Sequence, residues 1–172
     1  MPMKTGLPAK AGEFELFFAE QFGPVYNYVR FRLGSPEAAE DLVGEIFLRA
    51  YLYWESFSGD SSREAWLRGI TRNTLKTHWK RVLRRPQSIG LFDSISEDVD
   101  IEGDFIRKEE LRLLLSHVSR LSDEKQELLA MKYFLRMTNR EIAKATGMSE
   151  SNTGSTLHRI ITELRKKLSK TM

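Results

Sequence analysis

Cysteine is absent from this chain of 172 residues, which removes disulfides, thiolate metal sites and cysteine nucleophiles together. Long apolar runs are missing too. Nothing approaches the roughly 18 residues needed to cross a bilayer, and the stretch after Met1 lacks the apolar core of a signal peptide. These absences predict a cytoplasmic protein with no membrane insertion. Histidine is scarce: His78, His117 and His158 fall in separate predicted helices, and no spacing among them resembles a metal-binding pair. There is no Gly-rich phosphate loop, and no Ser-His-Asp set can be nominated. The expectation is therefore no catalysis, no cofactor and no metal. Glu40, Asp41 and Glu45 share one helical face, but a solvated or partner-binding surface explains them better than a metal site.

What is present is apolar residue and patterned charge. With 41% hydrophobic and 30% charged residues, the chain can bury cores, and its length allows one or two small domains. Its net charge of +3 hides strong blocks. Glu13 to Ser62 holds three basic residues against nine acidic, whereas Arg63 to Pro86 holds eight basic against one acidic. Gln87 to Glu110 is acidic again, with two against eight, and Leu111 to Met172 is basic, with twelve against six. Two basic blocks, each beside an acidic one, point to polyanion contact at two separate places.

Helical periodicity runs almost throughout, and no segment reads as strand. Phe14, Phe18, Phe22, Val25, Tyr26, Val29 and Leu33 recur mostly three or four apart, predicting a first helix that Gly34 ends. Ser35 and Pro36 fit the cap and first position of the next. That second helix carries a single stripe of Leu42, Val43, Ile46, Phe47, Ala50, Tyr51 and Trp54, opposite Glu40, Asp41, Gly44 and Glu45. Ser56 to Ser62 reads as a loop, and Ser61 with Glu64 as a capping box. The third helix should bury Trp66, Leu67, Ile70, Leu75, Trp79 and Val82. It should expose Arg68, Arg72, Asn73, Lys76, Lys80 and Arg81. Pro86 closes this bundle. Residues 87–104 are acidic, contain Gly90 and Gly103, and read as a linker. Residues 1–12, with Pro2, Gly6, Pro8 and Gly12, should fray.

The sharpest local signal is near the C-terminus. Helical pattern resumes at Phe105, and Ser122 can cap a helix running to about Leu135. Thr138 and Glu141 then form a capping box over a short helix that Gly147 ends, and Ser149 caps a last helix reaching about Lys170. A short helix, a glycine turn and a longer helix make a helix-turn-helix, with Ala143 small at the crossing and Ile142, Met148 and Leu157 inside. The second helix of such a unit presents its early residues to base edges in the major groove. Here those are Ser151, Asn152, Ser155, Thr156 and Arg159. The third helix is the other candidate, since cations neutralise phosphate. Helical spacing puts Trp66 and Trp79 in the core, leaving the cations and Asn73 to make contact.

Three segments carry a family resemblance. Glu37-Ala-Ala-Glu-Asp-Leu-Val-Gly-Glu-Ile-Phe-Leu-Arg-Ala50 resembles the AEDLVQEVFLRAW helix of extracytoplasmic-function (ECF) sigma factors of bacterial RNA polymerase. Ala65-Trp-Leu-Arg-Gly-Ile-Thr-Arg-Asn73 resembles that family's AWLxxIARN opening of the following helix. Asn139 to Ala143, Gly147 to Ser149 and Leu157 to Arg159 resemble its C-terminal helix-turn-helix. The resemblance spans roughly Phe14 to Leu168 and implies an all-α chain of two helical domains joined by an acidic linker. Residues 13–86 would bind core polymerase and the −10 element, and residues 105–172 would read the −35 element.

Within that frame, Glu40, Asp41, Gly44 and Glu45 would meet the clamp coiled coil of the β′ subunit. The loop from Ser56 to Ser62, with Arg68, Arg72, Asn73, Lys76 and Lys80, would hold the −10 element around a flipped base. Ser151, Asn152, Ser155, Thr156 and Arg159 would contact the −35 element. The acidic linker would thread the RNA channel. Implied partners are core polymerase (β′ and β), promoter DNA and an anti-sigma factor, with the free chain a monomer. The sequence departs from the family at Gly44, where Gln is common, and in the recognition helix. There the usual TVKSRLHRA reads Asn152-Thr-Gly-Ser-Thr-Leu-His-Arg-Ile160, with two fewer cations. Two other readings of the residues remain open at this point: a stand-alone helix-turn-helix regulator, and a sigma-like inhibitor that never starts transcripts.

Overall fold

The computed structural model describes residues 9–82 and 105–171, and among them every regular element is helical. Helices α1 (Ala9–Leu33), α2 (Pro36–Leu52) and α3 (Arg63–Val82) form one bundle. Helices α4 (Phe105–Ser119), α5 (Asp123–Tyr133), α6 (Asn139–Thr146) and α7 (Glu150–Thr171) form a second. The expected linker, 87–104, lies outside the described residues. Helix α1 begins at Ala9, inside the stretch expected to fray.

The turn from α1 to α2 is built from the residues the sequence offers for it. Gly34 takes a positive φ of 73°, and its N–H reaches the Arg30 carbonyl at 2.9 Å. Ser35 is extended, its hydroxyl accepts from the Ala38 N–H at 3.3 Å, and Pro36 starts the helix. Each uses a backbone group that a helix end leaves unpaired. Leu42, Val43, Ile46, Phe47 and Ala50 are then buried as the stripe requires, but Tyr51 at the edge of that stripe is exposed. Trp54 is buried in a short 3-10 turn (Trp54–Ser56), with Phe14 and Phe17 rings each 5.1 Å away.

In α1 the structure corrects the expected face. Phe18 and Phe22 remain about two-fifths exposed, while Phe17, Val25, Tyr28, Val29 and Phe31 are buried. The reason is that α1 is covered on two sides. It packs on α2 and α3, and its C-terminal end also packs on α5 of the second bundle. A search for one stripe misses the second side, where Phe31 meets Phe134 at 5.2 Å. In α3, Leu67 and Leu75 are buried as expected, joined by Thr71 and Thr74. Trp66, Ile70 and Trp79 are only partly covered and Val82 is exposed.

Two caps also differ. Helix α3 opens on Ser62 rather than Ser61: the Ala65 N–H donates to the Ser62 hydroxyl at 3.1 Å. Adjacent serines offer the same chemistry, and the helix uses the later one. At α5, Ser122 has the extended cap conformation, yet its side chain makes no cap bond. The preceding turn is held instead by buried Gln126, whose amide donates to the Leu121 carbonyl at 2.9 Å.

The α6–α7 unit follows its sequence signals closely. The Glu141 N–H donates to the Thr138 hydroxyl at 3.2 Å, and the Thr138 N–H donates to Glu141 Oε2 at 2.7 Å, which completes the capping box. Gly147 is left-handed at φ 76° and returns its N–H to the Ala143 carbonyl at 2.9 Å. The Ser149 hydroxyl accepts from the Asn152 N–H at 3.1 Å and starts α7. Ile142, Ala143, Leu157, Ile160 and Leu164 close the core beneath.

Two glycine substitutions should move stability in opposite directions. Gly147→Ala puts a Cβ into left-handed backbone and should cost about 1–2 kcal/mol. Gly44→Ala sits mid-helix with open space around its Cβ, so it should stabilise by about 0.5–1 kcal/mol. Urea denaturation followed by far-UV circular dichroism measures both.

Candidate nucleic-acid interface

The first turns of α7 leave a polar face open. Ser151, Asn152, Ser155 and Arg159 are exposed and Thr156 is half-buried. A ladder of local bonds organises them. The Thr156 hydroxyl donates to Asn152 Oδ1 at 3.3 Å, and Arg159 Nη2 donates to the Thr156 hydroxyl at 3.1 Å. The Ser155 hydroxyl turns back to the Ser151 carbonyl at 3.0 Å, which leaves it less free to reach outward. Asn152 and Arg159 are thus the members of the set with side chains long enough to meet base edges in a groove. Thr153 faces the other way, fully buried, with its hydroxyl on the Ser149 carbonyl at 3.0 Å. Arg140 and Lys144 on α6 are also exposed beside this face. They were missed as contact candidates, although the first helix of such a unit crosses the DNA backbone.

The second set, on α3, is divided. Asn73, Lys76 and Lys80 are exposed as expected. Arg68 and Arg72 are not, because the second bundle covers them. Arg68 Nη1 lies 2.7 Å from Glu141 Oε1. Arg72 Nη2 donates to the Ala145 carbonyl at 2.9 Å, and its Nε lies 3.8 Å from Glu127 Oε1. Around them sit groups to which the sequence reading gave no role. Arg32 is 4% exposed, donates to the Asp123 carbonyl at 3.3 Å and stacks its guanidinium 4.9 Å from the Trp79 ring. Tyr28 is buried beside Arg32, Arg72 and Glu127. Burial, then the Glu127 carboxylate, push its phenol well above the usual tyrosine range, against the pull of the two arginines. No local signal in the sequence links residues so far apart. The one clue was Arg32, a cation within an apolar run.

On α2, Glu40, Asp41 and Gly44 are exposed, and Glu45 pairs with Arg49 at 2.6 Å. Leu48 and Leu52 extend this face as exposed apolar residues. They were missed because they fall outside the core stripe, which is itself the signal that could have found them. No group of three or more His, Asp or Glu among the described residues is arranged to hold a metal ion. The loop before α3 leaves Ser58, Gly59, Asp60 and Ser61 exposed, with Phe57 against Trp66 at 5.6 Å. An open apolar groove of about 550 Å³ runs along α4, α5 and α7, lined by Leu111, Leu114, Tyr133 and Leu168, with Phe31 of α1 at one edge. No helix among the described residues is long and apolar enough to cross a membrane.

Residues 18–85 match the family model for sigma-70 region 2, and residues 111–164 match the model for sigma-70 region 4. The two matches follow one another and together cover more than half of the chain. The chain belongs to the sigma-70 family. It is an alternative sigma factor of the ECF type, directing transcription initiation. Among its relatives, the RNA polymerase sigma factor YlaC of Bacillus subtilis is 27% identical over 164 residues, covering 91% of this chain and 92% of its own. The ECF RNA polymerase sigma factor SigX of the same organism is 24% identical over 160 residues, covering 89% and 82%. The fold is like that of the sigma factor RpoE of Bartonella quintana, solved in complex with the anti-sigma factor NepR. That match has a TM-score of 0.66 and 17% identity, covering 91% of this chain and 97% of that one.

Glu141 gives this sigma factor an acid-sensitive joint. Burial raises its pKa, but the Thr138 backbone and hydroxyl bonds and the Arg68 guanidinium outweigh burial and hold it below the ordinary 4.5. A depressed carboxylate stabilises the fold above the unfolded-state pKa and loses that contribution as pH falls below it. Urea midpoints should therefore drop between pH 5 and pH 3, and Glu141→Gln, which keeps the cap but not the charge, should flatten that drop.

Proposed function

We propose a division of labour between the two helical domains of this sigma factor, taking residues 13–86 as the first and 105–172 as the second. The first holds core polymerase through Glu40, Asp41, Gly44 and Glu45, with Leu48 adding apolar contact, against the clamp coiled coil of β′. It engages the −10 element through Asn73, Lys76 and Lys80, joined by Arg68 and Arg72, with the loop before α3 around an extruded base. Extruding a base costs a few kcal/mol of stacking, so capturing it favours the open strand. The second domain reads the −35 element through Asn152 and Arg159, with Ser151, Ser155 and Thr156 beside them. The observation that carries this reading is the open polar face at the start of α7, behind a fully formed capping box and glycine turn.

A cytoplasmic location goes with a polymerase partner, and no covalent chemistry is assigned to the chain. An anti-sigma partner belongs to the same reading. The apolar groove beside Tyr133 offers it a surface, and a sigma factor of like fold has been solved with an anti-sigma factor bound.

Run-off transcription with purified core polymerase on sheared genomic fragments tests the reading. Defined transcripts should start only when the chain is added. Binding to polymerase without transcripts would mark a sigma-like inhibitor, and dimer binding to palindromic DNA without polymerase a stand-alone regulator. Asn152→Ala and Arg159→Ala should each weaken output by about 5- to 150-fold, from about 1–3 kcal/mol per lost base contact. Leu48→Glu should weaken the complex with core by about tenfold or more in a pull-down, with the circular dichroism spectrum unchanged because the side chain is exposed.

A further inference from the structure

Hydrogen bonds along the outer face of α7 run in one direction. A guanidinium can only donate, so Arg159 Nη2 gives a hydrogen to the Thr156 hydroxyl oxygen at 3.1 Å. The hydrogen of that hydroxyl goes to Asn152 Oδ1 at 3.3 Å. Arg159 Nε turns back to the Ser155 carbonyl at 3.4 Å. This relay leaves defined groups facing outward. On Arg159 they are both hydrogens of Nη1 and the second of Nη2, a paired-donor edge. On Asn152 they are the Nδ2 hydrogens and the second lone pair of Oδ1, a donor beside an acceptor. The Glu163 carboxylate, one turn beyond, is engaged by Lys167 at 2.7 Å rather than by Arg159.

Base pairs differ in what they offer such edges. In the major groove guanine presents two neighbouring acceptors, O6 and N7, whereas adenine presents the N7 acceptor beside its N6 amino donor. The paired donors of Arg159 match the first, and the donor–acceptor pair of Asn152 matches the second. The two side chains sit two helical turns apart on one face, about 10 Å along the axis. At about 3.4 Å per base step, that spans about three base pairs. Ser155 lies between them, its hydroxyl already bonded to the Ser151 carbonyl at 3.0 Å.

We propose that α7 reads an A·T pair through Asn152 and, about three base pairs away, a G·C pair through Arg159. Thr156 is the positioning residue that couples the two contacts, and the pairs between them carry less preference. Contact of α7 with duplex DNA rests on the function proposed above; the choice of bases goes beyond it. Without the Thr156 hydroxyl the amide can rotate and the guanidinium can swing, so both preferences fall together.

Selection from short duplexes randomised over one helical turn tests this with the full chain alone. At about 50 mM salt, phosphate contacts hold even a modest complex. The enriched sequences should share two fixed pairs, A·T and G·C, about three apart. Arg159→Lys keeps the charge but not the fork, and should lower the guanine preference about fivefold or more with the adenine preference retained. Asn152→Ala should do the converse. Thr156→Val keeps the shape, removes the hydroxyl and should weaken both preferences, and Thr156→Ser, which restores the hydroxyl, should recover them. A merely structural Thr156 would shift affinity for all duplexes alike and leave the preferences intact. Circular dichroism checks that each variant is folded. No enrichment, fixed pairs other than these, or a guanine preference unmoved by Arg159→Lys overturns the base assignment. Both preferences surviving in Thr156→Val overturns the coupling. Polymerase is absent from the selection, so the two readings fail separately: transcripts without this selection overturn the inference alone, and selection without transcripts overturns the proposed division of labour alone.

Discussion

Arg32, buried, and Arg72, partly covered, carry positive charge into the space between two helical domains, where less water remains to solvate it. A buried guanidinium left unpaired costs several kcal/mol, so its position dictates what must face it. Here the partners are backbone carbonyls of Asp123 and Ala145, the Glu127 carboxylate and the ring of Trp79. Carbonyls can serve because each lies in a helix that the second domain's own core holds in place. The seam thus depends on α5 and α6 being fixed first, by Leu128, Met131 and Ile142 underneath. Buried Tyr28 completes it from α1, its phenol pushed by that burial above the usual tyrosine range.

This arrangement explains why the two surfaces proposed to face DNA differ in readiness. The face of α7 is open, organised by bonds within its own helix, and needs no rearrangement to meet a duplex. The face of α3 is shared with the rest of the molecule. Asn73, Lys76 and Lys80 are exposed on it, whereas Arg68 and Arg72 are engaged by Glu141, Ala145 and Glu127. On α2, by contrast, Glu40, Asp41, Leu48 and Leu52 lie exposed together, as suits the protein contact proposed for that face.

Local chemistry was readable in the sequence wherever it decides the backbone. Gly34, Ser35, Pro36, the Thr138–Glu141 box, Gly147 and Ser149 all do what their types allow at helix ends, because capping is settled within four residues. The stripe of α2 was equally legible, since one side of that helix is covered. Helix α1 was not, because it is covered on two sides and its second face only has meaning once α5 lies against it. The same holds for the surfaces proposed as contacts. The exposure of Ser151, Asn152, Ser155 and Arg159 on α7 was legible because a helix-turn-helix fixes its outward face locally. Arg68 and Arg72 were expected to be exposed, and their cover comes from residues 73 positions further along. Glu141 shows the limit most clearly, since its capping role is local and legible while its ion pair with Arg68 is neither.

Gly154 occupies a position whose neighbours are already committed. A Cβ there would come within 3.2 Å of Asn139 Nδ2, and Asn139 in turn accepts from Lys132 Nζ at 2.9 Å. A longer side chain at 154 must push this amide aside and loosen its hold on the lysine. Positions 132, 139 and 154 are therefore linked as a trio: their substitutions should combine non-additively, and a cation restored at 154 is best accommodated when the other two change with it.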